Sequence, residues 1–589
     1  MFNTKLLPLA ISAFFISTFS FGQTLSEFHI DNGNNCQSCH TKPIKVDDAE
    51  SYENKSCENC HDTMDKLATK SKTKLSPHHS HLIDVSCTSC HSGHKQPVFV
   101  CQTCHDSFKN EFKIPFSDDK PILDSYQFPK VTQEMIDTAL AKAPVEQHQV
   151  VVIGAGAAGH AAAISARQHG VADVVILEKQ PYIGGNSMLA AGGMSAAETI
   201  TQALKNYPDS KALWYEDTMK GGHNINNPNL VKILTENGSA GIDWLQAMGA
   251  DLTSASSAGG HNAERLHRPT GGAKSGPEIV NTLKETAKKL GIETRTNSKV
   301  IQLVQDKQGV VTGVLVQGKH SKLHILGAKA VIIASGGFAR NNELVAKYRP
   351  DLKGVDATNN PGNVGDALTF APKAGAEVVD IKEIQAFPTA AAGKMVISGT
   401  ARGAGAIMLN NDGDRFCDEM GPRDKVSECI WAQEGKDAWL VFDETVLDRL
   451  GQLRGMLDLG IIFKGNSADE IAKATKMNAQ KFDHAIKRYN DFKMKGKDAD
   501  FGRKNMADDL QYPIYAVKIK PAVHHTMGGL KINAKTEVID HNGLPIKGLF
   551  AAGEVTGGVH GANRLAGNAI ADTIVFGRIA GEQVANSIK

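Results

Sequence analysis

Four short motifs crowd the first part of the chain: CQSCH (36–40), CENCH (57–61), CTSCH (87–91) and CQTCH (101–105). Each is C-x-x-C-H, the spacing at which two thiols take thioether bonds to one porphyrin and the adjacent histidine reaches its iron. A single copy is compatible with a zinc pair. Four copies, each with its histidine, specify c-type haems attached at Cys36, Cys39, Cys57, Cys60, Cys87, Cys90, Cys101 and Cys104, with His40, His61, His91 and His105 on the irons. The intervening chain is rich in Lys, Asp, Ser and Asn and has little amphipathic periodicity. Side-chain burial alone does not fold such a segment, so the macrocycles take the place of a core. The remaining histidines here are His29, His78, His79, His81 and His94, against one methionine, Met64. We expect His29, His78, His81 and His94 as the sixth ligands, with the choice between His78 and His79 left open. Four bis-histidine haems imply low potentials and electron transfer.

At 589 residues the chain has room for three or four domains. A net charge of +1 excludes a polyanion-binding class, so no nucleic acid is expected. Fifty-six glycines and 6% aromatics fit an α/β protein with many close backbone approaches. The N-terminus, MFNTKLLPLAISAFFISTFSFGQ, has Lys5, an apolar run over 6–21 and small residues around Ser20 and Gly22. This is the pattern of a signal peptide over 1–22, and a soluble exported mature chain follows from it. The haem-bearing segment is placed at 23–125. A connector over 126–147 carries a short helix near 132–143. Cys417 and Cys429 lie outside the motifs and are either free or paired.

The second region opens with VVVIGAGAAGHAAAISARQHG (150–170): an apolar strand, then glycines at 154, 156 and 159, then an alanine-rich helix. A second strand, VVILEK, ends at Glu178. Strand, G-x-G-x-x-G, helix, strand and acid together are a dinucleotide fingerprint. The glycines allow the pyrophosphate to approach the helix N-terminus, and Glu178 is placed to accept from ribose hydroxyls. Further glycine-rich segments follow at PYIGGNSMLAAGGMSA (181–196), AVIIASGGF (330–338) and GLFAAGEVTGGVHGANRLAGN (548–568). Late strand–glycine segments that return to one nucleotide fold are the habit of FAD proteins.

On these motifs, residues 148–589 resemble the flavoproteins of the fumarate reductase, succinate dehydrogenase and L-aspartate oxidase family. With the haem motifs, the mature chain resembles the periplasmic tetrahaem flavocytochrome c fumarate reductases. The resemblance implies a multidomain fold: a haem-packed tetrahaem cytochrome c domain with little regular structure, then an α/β Rossmann-type FAD-binding domain with an inserted α+β clamp. The flavin domain is expected at 148–383 and 525–589, and the clamp at 384–524. FAD is non-covalent in this family. Matching motifs assign it Glu178, Asn186, Ser187, Gly192, Gly193, Asp366, His525 and Glu554, besides Gly154, Gly156 and Gly159. A Na+ site maps to 526–528 and 554–556. The resemblance also implies a monomer in the periplasm, fed by a membrane-anchored quinol-oxidising cytochrome c or a periplasmic cytochrome.

Reducing an alkene beside a carboxylate requires a hydride donor, cationic groups to hold the acid, and a proton donor. Isolated cationic residues occur in PAVHHTMGG (His524, His525), GVHGANRLAGN (Arg564), MGPRDK (Arg423) and SGTARGAG (Arg402). By resemblance Arg423 is the acid, His524 and Arg564 grip the nearer carboxylate, and Arg402 is a second arginine resupplying the proton through a carboxylate. The stretch QAFPTAAAGKMVISGTAR (385–402) departs from that pattern. Gln385 and Pro388-Thr389 match, with one residue fewer between them. Phe387 stands where the family has a histidine for the distal carboxylate, and Ser398-Gly399 where it has Thr-Glu. The relay carboxylate is then unassigned, with Asp412, Asp418 and Glu419 nearby in sequence. One end of the pocket reads as a carboxylate site and the other as apolar. The expected substrate is a mono-carboxylic enoate, an acrylate or aryl-acrylate. Fumarate reduction proper is the second reading. An electron carrier or store without turnover is the third.

Overall fold

The computed structural model describes residues 128–589, apart from 319–321, 392–394, 505 and 507–508. The chain divides into two units, Met1–Gln127 and Phe128–Lys589. The signal peptide, the haem attachment cysteines and all eight proposed axial histidines lie outside the described residues.

Helix α1 (Gln133–Leu140) starts at Thr132, whose Oγ1 accepts from the Met135 N–H. It carries Ala139 against Leu315 and Ile325. The stretch read as a connector is therefore docked on the sheet, and strand β1 (Glu146–Ile153) begins within it. Next come α2 (Ala157–Gln168) and β2 (Val174–Leu177), with Val150 to Ile153 in parallel register with Val174 to Leu177. Both strands end as continuous buried apolar runs, as a sheet covered on both faces demands. Two fingerprint glycines are required by the protein itself. A Cβ on Gly154 (φ +106°) would lie 2.4 Å from Ala334 O, and one on Gly159 would lie 1.9 Å from Gly154 O.

Four more strands pair around this unit: β3 (Glu293–Arg295), the β4 (Ser298–Gln305) and β5 (Val311–Gly318) hairpin, and β6 (Leu323–Ile333). The parallel strands β6, β1, β2 and β3 follow in that order, and β5 joins β6 antiparallel.

The inserted segment builds a second sheet from β7 (Ile384–Ala391), β8 (Met395–Val396), β9 (Ile407–Leu409), β10 (Ala438–Asp443), β11 (Ile462–Gly465) and β12 (Ile514–Thr526). The short helix α3 (Thr400–Gly403) precedes β9, and α4 (Arg423–Trp431) lies between β9 and β10. Strand β12 is the long member. Its first half pairs with β10 and β11, and its second half with β7. The β7–β12 ladder slips by one residue: Gln385 faces His525, but Ala386 faces Val523. His524 is the extra residue of a bulge, the device by which a strand re-aims a side chain beside a site. The chain then returns to the first sheet through β13 (Glu537–Ile539) and β14 (Pro545–Ala551), the latter parallel to β6.

Helix α5 (Asn568–Ser587) closes the fold against α2. Their axes approach closely because small residues meet. A Cβ on Gly581 would sit 2.2 Å from Ala162 O and 2.6 Å from Ala166 N, both rigid backbone atoms. Helix propensity favours Ala over Gly by about 1 kcal/mol, whereas overpacking costs about 1–3 kcal/mol. Gly581→Ala is therefore expected to lower the urea midpoint of the holoprotein. A midpoint equal to or above the parent's would contradict the close crossing.

Candidate active site

The β1–α2 turn, the 185–193 segment and the bulged end of β12 face one cavity. Gly154, Gly156, Glu178, Asn186, Ser187, Gly192, Gly193, Asp366, His525 and Glu554 line it, and so do Phe387, Ser398, Gly399, Arg423, His524 and Arg564. Residues assigned to the cofactor and residues assigned to the chemistry thus share one space.

The first set fits a dinucleotide. A Cβ on Gly156 would meet nothing closer than 3.8 Å, and one on Gly192 nothing within 4 Å. Packing does not demand these glycines, so the cradle they leave is room for a ligand. Buried polar atoms there lack partners: Ser335 Oγ, Asn359 Oδ1 and both ring nitrogens of His525. Buried polar groups are normally satisfied, so these call for a polar ligand. Glu178 accepts from Ala155 N (3.0 Å) and Gln180 N (2.8 Å) at the cavity lip. Burial raises its pKa against those two N–H groups. Ser187 Oγ accepts from Ala157 N at 3.2 Å. Asp366 is paired with Lys179 and Lys299. Burial pushes its carboxyl up, but the two lysines outweigh that and hold it low. Glu554 takes Asn186 Nδ2 (2.9 Å), Asn363 Nδ2 (3.1 Å) and Thr526 N (3.2 Å), and burial raises its pKa. The 526–528 and 554–556 segments are adjacent, with Leu530 N donating to Val555 O.

The second set is held by the clamp sheet. Arg423 is the first residue of α4, directly after the N-cap Pro422, so its side chain is presented at the helix end. Its Nη1 donates to Gln385 Oε1 at 2.9 Å, and its guanidinium lies 4.8 Å from the centre of the Phe387 ring. The same ring lies 4.7 Å from the His524 ring, at 39°. Phe387 is therefore a buried platform under both groups. Burial, then the charges of Arg564 and Arg402, hold the Arg423 pKa well below its usual range. Burial brings Arg564 down to about 10, opposed by Glu554 and Asp572. His524 is depressed by burial first and then by Arg423 and Arg564, so it is neutral. Its Nδ1 pairs with Thr358 Oγ1 at 2.7 Å, and its carbonyl accepts from Asn359 Nδ2.

Gln385, expected in the substrate pocket, and Arg402, expected in the proton relay, both stand behind the wall. Gln385 does not line the cavity. It bonds Asn563 Oδ1 (2.5 Å) and Arg564 O (2.8 Å) through Nε2, and so ties Arg423 to the Arg564 turn. Pairing opposite His525 on a covered strand turns its amide inward. Arg402 is also outside the lining and is 2% exposed. Its Nη1 donates to the main-chain oxygen of Glu419 at 2.6 Å. Of the nearby acids, Asp412 pairs with Lys481 at the surface and Asp418 caps Met420 N. The Glu419 carboxylate is engaged by Arg415 (3.0 Å) and Arg503 (3.2 Å). Cys417 and Cys429 are both free thiols. Thr358 and Asn359 escaped the sequence reading. They lie in DATNNPGN (356–363), whose Asn, Gly and Pro read as a turn and carry no signal of a site.

Comparison with known proteins agrees with this architecture. Residues 149–570 match the FAD binding domain family and residues 28–106 match Cytochrome c3. The chain is 45% identical to a probable fumarate reductase, Ifc3, of Shewanella frigidimarina, over 95% of each chain. It is 34% identical to a urocanate reductase of Eggerthella lenta, over 74% of each. The solved open conformation of a flavocytochrome c3 fumarate reductase superposes with a TM-score of 0.81 at 44% identity, covering 96% of this chain and all of that one. The chain belongs to the flavocytochrome c3 fumarate reductase family. It is an oxidoreductase of CH–CH groups that carries FAD and c-type haems. No helix among the described residues is long and apolar enough to cross a membrane.

Because His524 is held neutral, the pH profile of kcat/KM should show no inflection near 6.5, the ordinary histidine value. An inflection there that disappears in His524→Gln would contradict the neutral assignment. Thr358→Val removes the Nδ1 partner and is expected to cost about tenfold in kcat/KM, roughly one hydrogen bond.

Proposed function

We propose that this chain is a periplasmic respiratory reductase that saturates the C=C bond of a mono-carboxylic enoate, an acrylate or aryl-acrylate. The observation that carries the reading is the wall made by Phe387, His524 and Arg423, with Gly399 beside it. When bound, reduced FAD supplies the hydride, and four c haems supply its electrons. Arg564 and His524 hold the substrate carboxylate. Thr358 Oγ1, paired with Nδ1, orients the His524 ring, and the tautomer that carries its proton on Nε2 is the one that donates to that carboxylate. Arg423 protonates the second carbon as charge builds there. A guanidinium ordinarily keeps its proton, but burial among other cations weakens that hold and makes it a better acid. Gln385 fixes the direction of its Nη1.

Phe387 separates the mono-acid reading from fumarate. A second carboxylate against that ring would lose hydration without gaining a donor, whereas a planar apolar substituent gains contact and stacking. Ser398 does not compensate, because its hydroxyl is directed to Thr400 Oγ1 at 3.1 Å. The urocanate reductase relative supports the reading, since urocanate is an aryl-acrylate with one carboxylate. Electrons would enter from a membrane-anchored quinol-oxidising cytochrome c or a periplasmic cytochrome, with the chain acting as a monomer.

Two experiments test this. Arg423→Ala should retain FAD and reducible haems yet lose at least about 10²-fold in turnover, the scale of positioned proton transfer. Turnover within a few-fold of the parent would remove Arg423 from the role. With reduced methyl viologen as donor, the parent should show a higher kcat/KM for acrylates or cinnamates than for fumarate, and Phe387→His should shift that ratio towards fumarate. A parent that reduces fumarate far better than every mono-acid would establish the fumarate reading instead. A haem-to-flavin ratio of four to one in the purified protein checks the electron path.

A further inference from the structure

The helix that carries Arg423 is tied to the flavin domain at a second point, outside the cavity. Asp424, the next residue of α4, brings its Oδ2 to 3.1 Å from His223 Nε2. Its other oxygen, Oδ1, is buried without a partner. The pair is partly open to water, with 49% of the His223 side chain and 23% of the Asp424 side chain exposed. Pro422 gives α4 no side-chain cap, and a carboxylate in a first turn is favoured by the helix dipole. Asp424 is thus held where it stands by its own helix, ready to be met from the other domain.

His223 follows the helix Lys211–Gly221, in a turn where it and Asn224 both take left-handed backbone, φ +59° and +60°. Residues with a Cβ adopt that conformation rarely, and two in succession persist only where the surroundings impose them. Here the surroundings are the Arg564 turn. Ala562 N donates to Gly222 O at 3.0 Å, and Asn563 Nδ2 to Gly221 O at 3.4 Å. Asn226 Nδ2 donates to Val559 O at 2.9 Å. A Cβ on Gly221 would stand 2.6 Å from Leu565 Cδ2, so the two turns are also in close contact. They form one body, and Arg423 is joined to it twice. Its guanidinium is joined through Gln385, and its helix through Asp424 and His223. Gln385 directs the end of a long side chain, whereas the second tie fixes the backbone from which that side chain starts.

We propose that His223 is a positioning residue for the reaction: through Asp424 it holds the first turn of α4 against the Arg564 turn, and so sets the distance from the Arg423 guanidinium to a substrate gripped by Arg564. The proposal rests on the assignment of Arg423 as proton donor. Small displacements of a reacting group are costly in rate, which is why a contact outside the cavity matters. The bond needs an N–H on His223 Nε2, which the protonated ring and one neutral tautomer both carry. The carboxylate grip does not pass through Asp424. Losing the pair therefore shifts the acid and leaves the substrate held, so kcat falls and KM stays.

The test is a double-mutant cycle on the holoprotein, with kcat and KM measured at one pH using reduced methyl viologen. It is read on whichever enoate the parent reduces fastest, fumarate included, so that failure of the mono-acid reading leaves it intact. His223→Ala and Asp424→Ala are each expected to lower kcat about fivefold, the upper end for a partly exposed pair. KM should stay within about twofold of the parent, the split that marks a loss in the transition state alone. The double variant should fall no further than the slower single, because both changes break one contact. His223→Gln keeps an N–H donor and should restore kcat to within about twofold of the parent. Single effects that multiply in the double variant, a His223→Gln protein as slow as His223→Ala, or a His223→Ala protein with parental kcat each overturn the proposal. So does a loss carried by KM or by FAD content, the mark of a merely structural contact. His223 is exposed, so the two variants at 223 decide the matter even where Asp424→Ala fails to fold. Arg423→Ala, measured alongside, separates this proposal from the reading beneath it. Parental turnover there removes the acid and the proposal with it, whereas a slow Arg423→Ala protein with an uncoupled pair overturns the proposal alone.

Discussion

Positive charge held out of water with few counter-ions is the constraint on which the site depends. Arg423, Arg564 and Arg402 converge behind or within one cavity wall, and the nearby carboxylates are committed elsewhere. In water such a cluster would be screened. Under a covering sheet burial lowers the pKa values of Arg423, Arg564, His524 and His525, and repulsion adds to this for Arg423 and the two histidines, which are neutral. Free energy stored in this way is released when an anion binds, and most fully when negative charge builds during reaction. Electrostatic preorganisation of this kind is commonly the largest catalytic term.

Holding the cluster requires both sheets. Strand β12 belongs to the clamp along its first half, yet its end carries His524 and His525 to the flavin cavity. The one-residue slip against β7 lets two adjacent residues of a strand line the same space, which a regular strand forbids because side chains alternate. Gln385 then links three elements, bonding Arg423 on α4 and the Asn563–Arg564 turn before α5. Phe387 fills the remaining gap with a ring that touches both Arg423 and His524. A single substitution on β7 therefore reaches Arg423 and His524 together.

Much of this was legible from residue order. The Gly154–Gly159 turn and the acid at 178 are local devices, since a strand, a tight turn and a helix N-terminus are set by neighbours within a few tens of residues. His524, Arg423 and Arg564 stood out as cations in glycine-rich, apolar surroundings. Thr358 and Asn359 did not, and Glu419 was only one of three nearby acids. Thr358 meets His524 across 166 positions, and nothing in a single hydroxyl announces such a partner. Gln385 was expected in the substrate pocket because it matches the family pattern together with Pro388-Thr389. Pairing with His525 on a covered strand instead turned it into a brace.

The sequence by itself determined the parts that depend on local chemistry: four C-x-x-C-H attachments, the dinucleotide turn, the cationic residues available to hold an acid, and an aromatic ring at 387 with a glycine at 399. Only the tertiary structure decided what those parts face. It set Phe387 under Arg423 and His524, placed Gly399 in the wall before Arg402, and gave the Glu419 carboxylate to Arg415 and Arg503. The reason is physical. Charge balance and burial are sums over everything within several ångströms, and here those neighbours include segments as far apart in the chain as Phe387 and His524.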